Sequence, residues 1–470
     1  MFLQQLNEGL SKINGILWAW PMIIMLLGTH LFLTVRLRFP QRYIFRAFRL
    51  LRESESGAPG DISQLGSLST SLAATIGTGN IIGVATAITL GGPGAVFWCW
   101  MTGVFGIATK YAEGLLAVKY RVRAKDGKML GGPMYAIERG LGWKWLSVLF
   151  CLFAAVASFC TGSSVQSNVA ASVMKDAFGV DPVFCGIFMA LFMTVVVVFG
   201  IRGIAKVCVA LVPFMGILYV FGCLALLVVN RMYLCDTISL ILKCAFSSDA
   251  VSGGIAGGTI VMAMRFGIAR GLFSNESGLG SSPIIAAAAK TRNPVRQALV
   301  SSTSTFMDTV VICLLTGIVI VSSMVATDGA VMDSDGMMLT QAAFARLNIS
   351  VGNIQLGSLI VNIVIILFTF STIVGWCYYG EKSLEYLCGP RYYKLARLLF
   401  RAMLVCVTFA GAVWSVSFVW NLGDFTNALM AIPNLICLLL LSPVIVSETR
   451  RYLWNDRLDD SSDEEPPSIQ

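Results

Sequence analysis

The run Ser69-Thr70-Ser71-Leu72-Ala73-Ala74-Thr75-Ile76-Gly77-Thr78-Gly79-Asn80-Ile81-Ile82-Gly83 belongs to an apolar segment of membrane-spanning length, yet its centre holds two glycines and several hydroxyls. A chain in lipid satisfies its backbone internally, so a broken, polar centre is tolerable only where the loosened backbone lines a cavity. Carbonyls freed around Gly77 are hard oxygen ligands for a cation, while N–H groups at the start of a half-helix suit a carboxylate. Thr78, Gly79 and Asn80 occupy that start. Facing hydroxyls come from Phe368-Thr369-Phe370-Ser371-Thr372-Ile373-Val374-Gly375-Trp376, where Ser371 and Thr372 fall mid-span. Either hydroxyl taken alone is equally explained by a bond to its own preceding turn. A third polar cluster, Thr161 to Asn168, contributes Gln166 as its most telling member. Cation and solute binding side by side is the chemistry these residues offer.

The elements that must position them are membrane helices. Of 470 residues, 56% are hydrophobic and 13% charged, and apolar runs of about 20 residues, enough to cross a bilayer, recur along the chain. Eleven spans are expected near 13–35, 66–90, 93–118, 145–173, 183–200, 204–229, 252–275, 298–325, 355–380, 396–419 and 424–447. Lys and Arg gather in alternate connections, from Arg36–Arg52 and Lys119–Lys144 to Lys382–Arg401. Positively charged short loops stay cytoplasmic, which puts the N-terminus outside and the C-terminus inside. The net charge of +8 is therefore topology rather than a nucleic-acid footprint.

Five spans after the first interrupted one comes a second, from Gly253 to Glu276, rich in glycine and carrying Arg265 and Arg270. Two broken spans at corresponding places in two five-helix halves point to an inverted repeat with a midplane site between them. Gly267 is the expected breakpoint. The division is then 1–52 for an extra N-terminal helix and basic segment, 61–230 and 250–448 for the two repeats, and 449–470 for an acidic tail expected to be disordered.

Lys110 and Glu113, three apart on one helical face, are expected to pair as a structural or gating couple. His30, the single histidine, is expected to be satisfied by packing or interface water. Most of the thirteen cysteines lie in apolar spans as small hydrophobes, while Cys235 and Cys244 share a loop where pairing stays open. The sequence has neither a GxxxxGK[ST] loop nor an HExxH motif, which argues against an ATP-driven pump and a zinc enzyme.

These residues resemble the alanine or glycine:cation symporter family, also called sodium:alanine symporters. The resemblance is carried by Ala74-Thr75-Ile76-Gly77-Thr78-Gly79-Asn80-Ile81, Gly91-Gly92-Pro93-Gly94, Gly131-Gly132-Pro133-Met134-Tyr135, Arg270-Gly271-Leu272-Phe273-Ser274-Asn275-Glu276, and Ser371-Thr372-Ile373-Val374-Gly375-Trp376. It implies an all-α, leucine-transporter-type fold and symport of sodium with alanine or glycine, with no further cofactor. The expected substrate site comprises Thr75, Thr78, Gly79, Asn80, Gln166, Gly267 and Trp376, and the expected cation site Ala74, Gly77, Ser371 and Thr372. Ser277, Ser282 and Cys377 depart from the family pattern, the last beside the expected pocket wall. The expected partners are the amino acid, the ion and membrane lipid, in a plasma (bacterial inner) membrane. A proton-coupled carrier and a non-transporting amino acid sensor are the rival readings.

Overall fold

The computed structural model describes residues 2–53, 57–198, 200–247, 260–329, 336–347, 350–351, 354–462 and 465–468. Two N-terminal helices, α1 (Phe2–Leu17) and α2 (Trp20–Arg36), meet at a 47° bend where Pro21, which has no N–H to donate, opens α2. The expected first span at 13–35 is thus bent and begins earlier. Asn7 and Asn14 tether α1 by bonding Ser417 and the Asn421 carbonyl.

The next span is two half-helices, α3 (Gln64–Thr75) and α4 (Gly79–Gly91), inclined at 51°. There follow α5 (Ala95–Lys119), the short hairpin β1 (Val122–Arg123) and β2 (Met129–Leu130), and then α6 (Lys144–Phe178), α7 (Pro182–Val198) and α8 (Gly200–Val229). The second half of the chain begins its described part with α9 (Ile260–Asn275) and α10 (Pro283–Ala286). It continues through α11 (Pro294–Val325), α12 (Leu356–Gly389), α13 (Tyr392–Val413) and α14 (Val416–Leu440). Gly389 turns α12 into α13 at φ 64°, a left-handed conformation that glycine adopts without a Cβ clash.

Among the described residues, six helices are long and apolar enough to cross a membrane, or eight when each bent pair counts as one span. The other three expected spans overlap α5, which carries Lys110 and Glu113, α7 and α9.

Two expectations need correction. Gly267 does not break its helix: α9 is continuous through it, and a Cβ there would meet the Ala95 carbonyl oxygen at 2.5 Å and Trp98 Cβ at 2.8 Å. It is a seam where α9 packs closely on α5, the use of small residues that membrane helices make when apolar burial alone cannot drive association. The chain unwinds nine residues later, at Glu276. The glycine run 253–259, also expected to contribute, lies outside the described residues. The acidic tail is not loose either. Its described residues run over the face formed by Arg46 and the 57–59, 119–123 and 287–296 segments, where Arg46, Asn293 and Arg296 bond its carboxylates and carbonyls.

Candidate functional site

The first break is built by one side chain. In a continuous helix the Gly77 N–H would donate to the Ala73 carbonyl; here it donates to Asn80 Oδ1 at 2.8 Å, and Ile76 is extended at ψ 98°. The Ala73 carbonyl so released accepts from Thr372 Oγ1 of α12 at 3.3 Å. Thr372 thus stands across from the opened turn, and a Cβ on Gly77 would fall 2.6 Å from its hydroxyl oxygen. Gln166 Oε1 approaches the same position, 3.7 Å from where that Cβ would be. Two oxygens at this place, Thr78 Oγ1 and Gln166 Oε1, are buried with no hydrogen-bond partner among the described residues. Buried polar atoms are normally satisfied, so these two oxygens beside the opened turn are candidates to meet a polar ligand.

The other sequence-named residues distribute unevenly. Ser371 bonds back to the Phe368 carbonyl at 2.9 Å and Thr75 to the Ser71 carbonyl at 3.1 Å, both within their own helices. Ala74 packs against Gly375, where a Cβ would lie 2.6 Å from Ala74 Cβ. Asn80 has its carbonyl and amide engaged in holding the break, so it shapes the site more than it offers a free ligand group. Trp376 is buried, packed on Gly162 and edge-on to Tyr379 at 5.7 Å. Cys377 points toward Glu381 at 3.8 Å rather than standing as an isolated pocket-wall group.

The second break lies against the first. A Cβ on Gly79 would be 3.0 Å from Ser274 Cα and 3.1 Å from Phe273 Cδ1, which places the end of α9 on the opened turn of α3–α4. Beyond Asn275 the backbone reverses through Glu276 (φ 54°), Gly278 (φ 95°) and Gly280 (φ 81°) before α10 begins. A non-glycine residue held at positive φ is costly and tends to mark functional sites. Glu113 holds this unwound stretch: its Oε1 accepts from the Gly278 N–H at 3.0 Å, the Gly280 N–H at 3.1 Å and Asn434 Nδ2 at 2.7 Å.

The expected Lys110–Glu113 couple remains an electrostatic one, but it is not a hydrogen-bonded ion pair. Both side chains are buried, but the carboxylate is turned to backbone N–H groups and the Lys110 ammonium has no hydrogen-bond partner among the described residues. Helical spacing brought the two residues to one face; the orphaned donors of the break outcompeted the lysine for the carboxylate. His30 is buried and bonded to Thr109 Oγ1 through Nδ1 at 2.7 Å.

Asp308 is the residue that sequence reading missed. It sits fully buried on a π-helical stretch of α11, Phe306–Cys313. Its Oδ1 accepts from Asn80 Nδ2 at 2.7 Å, and its Oδ2 from Ser274 Oγ at 2.8 Å and Thr309 Oγ1 at 2.7 Å. A carboxylate flanked by hydroxyls is hard-oxygen chemistry suited to a cation or a proton. The available signal was an acidic residue inside an apolar span, which is a functional hypothesis by default. π-Helical turns also occur at Gly79–Gly83 and Cys160–Ser164, near this polar centre, and at Ile137–Leu141 and Arg450–Trp454, away from it.

Both faces of the centre are sealed. Toward α1, Arg270 makes a two-pronged bond to Asp424 (3.1 and 2.8 Å), and Phe273 packs on Trp420 with centroids 5.3 Å apart. Toward the tail, Arg121 bonds the carbonyls of Ala287, Ala289 and Pro59 at 3.2, 2.9 and 3.1 Å. Burial lowers the Arg121 pKa to about 10, so it remains a cation at neutral pH. Cys235 and Cys244 are both free thiols.

Two abutting broken helices around a sealed polar centre define a transporter scaffold, and a solved structure shares the fold. MhsT in complex with L-phenylalanine matches with TM-score 0.57 at 14% identity, covering 86% of this chain and 96% of that one. The architecture is of the leucine-transporter type. The profile of the sodium:alanine symporter family matches residues 3–465, and the chain belongs to that family. The sodium/alanine symporter AgcS of Methanococcus maripaludis is 46% identical over 449 residues, 94% of this chain and 96% of that protein. The probable sodium/glutamine symporter GlnT of Bacillus subtilis is 35% identical, over 96% of this chain and 91% of its own length. The protein is a membrane transporter, not an enzyme.

Proposed function

We propose that this protein carries a small neutral amino acid, alanine or glycine, into the cell together with sodium, by alternating access across a plasma (bacterial inner) membrane. The reading takes the membrane as crossed eleven times, with the N-terminus outside and the tail in the cytoplasm. One observation carries it: the Gly77 N–H is diverted to Asn80, which opens the helix where Thr78 Oγ1 and Gln166 Oε1 lie buried and unmet. The substrate carboxylate is assigned to the N–H groups around Thr78 and Gly79, and sodium to the carbonyls from Ala73 to Gly77 with the Thr372 and Ser371 hydroxyls. Phe273 and Ser274 crowd Gly79, so a larger residue at this position would press on the end of α9. Coupling follows if both ligands brace one opened turn, because the half-loaded form then lacks part of the support for closure.

Asp308 favours a second reading, proton coupling, since it is a buried carboxylate bonded to Asn80 of the opened turn. Uptake of labelled alanine and glycine into liposomes carrying the purified protein separates the two. Uptake that requires an inward sodium gradient supports the proposal. Equal uptake with choline in place of sodium, driven by a pH gradient, overturns it in favour of protons.

A further inference from the structure

The tail-side seal has two layers. The inner layer joins segments from both halves of the chain: the Asp61 N–H donates to the Ala288 carbonyl, the Lys290 N–H to the Ile62 carbonyl, each at 2.8 Å, and Arg121 bridges Pro59 to the end of α10. Beyond it a cavity of about 1030 Å³ opens between residues 57–59, 118–123 and 139 on one side and 291–294 on the other. The acidic tail crosses that cleft, with Ser461, Ser462 and Pro467 among the residues lining it.

The crossing is anchored at both ends and in the middle. Trp454, just before the tail, lies under the Arg38 guanidinium at 4.3 Å. Asn293, at the head of α11, donates from Nδ2 to the Leu458 and Asp460 carbonyls at 2.8 and 2.9 Å while its Oδ1 accepts the Arg296 N–H. Arg296 Nη1 binds Asp459 at 2.7 Å, and Leu458 is buried. The Ser462 N–H meets the Arg292 carbonyl at 2.8 Å, and on the far bank the Arg123 N–H meets the Pro467 carbonyl at 2.9 Å. Asn293 and Arg296 are each only 1% exposed. The Asn293 bonds to the tail carbonyls are therefore largely desolvated, whereas Asp459 is 84% exposed, so its pair with Arg296, like the exposed Arg46–Asp456 pair, contributes little on its own.

We propose that the tail, through its described residues 455–462 and 465–468, forms a strap that restrains opening on the tail side: they tie the 291–296 segment of the second half to the 119–123 segment of the first. Release of cargo to that side requires the cleft to widen, and the strap must then let go. Its hold is breakable because the bonds are few and partly ionic. The consequence for transport rests on the alternating-access reading; the restraint itself does not.

Asn293→Asp isolates the contact. The aspartate still accepts the Arg296 N–H and so preserves the start of α11, but it has no amide to donate to the tail and adds a charge beside Asp459 and Asp460. Amide hydrogen exchange is followed at 61–62 and 288–290 in the full chain, in the chain ending at Trp454, and in full-length Asn293→Asp, with alanine uptake measured in parallel. Exchange about threefold or more faster in both variants is expected, from local opening of the inner layer. Wild-type exchange in both overturns the proposal. So does acceleration by truncation but not by Asn293→Asp, since the effect would then lie outside this contact. Faster exchange in both variants without alanine uptake by any form would leave the strap standing and remove the alanine reading.

Discussion

Thr372→Val tests the cation site with little disturbance of shape, because a methyl takes the place of Oγ1. The hydroxyl donates to the Ala73 carbonyl, whose ordinary helical partner, the Gly77 N–H, is engaged by Asn80. Valine leaves that carbonyl without its donor, which costs about 1–3 kcal/mol if the group stays buried. At 3.3 Å the existing bond is long, so the loss of stability without sodium is expected near the lower end. The effect on sodium is separate: losing one oxygen ligand worth about 1–3 kcal/mol raises the half-activating sodium concentration roughly 5- to 150-fold. Gly77 leaves room for the new methyl, so the variant should insert and purify normally. Sodium activation of alanine uptake in proteoliposomes and sodium-dependent thermal stabilisation in detergent read the two quantities. A half-activating concentration within about twofold of wild type, in a protein of unchanged fold, would show that the hydroxyl merely caps Ala73.

Gly79→Ala places a Cβ 3.0 Å from Ser274 Cα; overpacking of about 1–3 kcal/mol and loss of alanine-induced thermal stabilisation are expected, and retained stabilisation would move the substrate elsewhere. Asp308→Asn keeps an acceptor oxygen for Ser274 and Thr309 but removes the charge and turns an amide NH2 toward the Asn80 donor, so cation dependence of uptake should weaken at least tenfold, about 1.4 kcal/mol; an unchanged sodium curve would exclude Asp308 both from the cation site and from the support of Asn80. Glu113→Ala strips the acceptor from the Gly278 and Gly280 N–H groups and should cost about 3–5 kcal/mol, seen as a lowered thermal midpoint. Glu113→Gln, which keeps an acceptor oxygen there, should recover much of it, and equal loss in both variants would assign the effect to charge.

Much of this protein is written along the chain. Apolar runs and the arginine-rich connections announce membrane helices, because lipid admits few other ways to satisfy a backbone. The first broken helix is legible for the same reason: Gly77-Thr78-Gly79-Asn80 is too polar and too flexible for a plain span, and the structure breaks there by 51°. Ser274, Phe273 and Glu276 lay within a recognised motif, yet Gly267 drew attention first, since a glycine that unwinds a helix and a glycine that lets two helices touch look alike in one dimension.

What only tertiary structure decided are the pairings. Helical spacing brought Lys110 and Glu113 to one face, but the N–H groups of Gly278 and Gly280, more than 160 positions away in sequence, captured the carboxylate. Asp308 became part of the centre because a π-helical turn of α11 meets Asn80 and Ser274. The described part of the tail, by composition a candidate for disorder, is held by donors on Asn293 and Arg296 that its own sequence cannot reveal. Hydropathy and propensity are properties of neighbours along the chain, whereas the satisfaction of a buried polar group depends on whichever donor or acceptor the fold brings within about 3 Å.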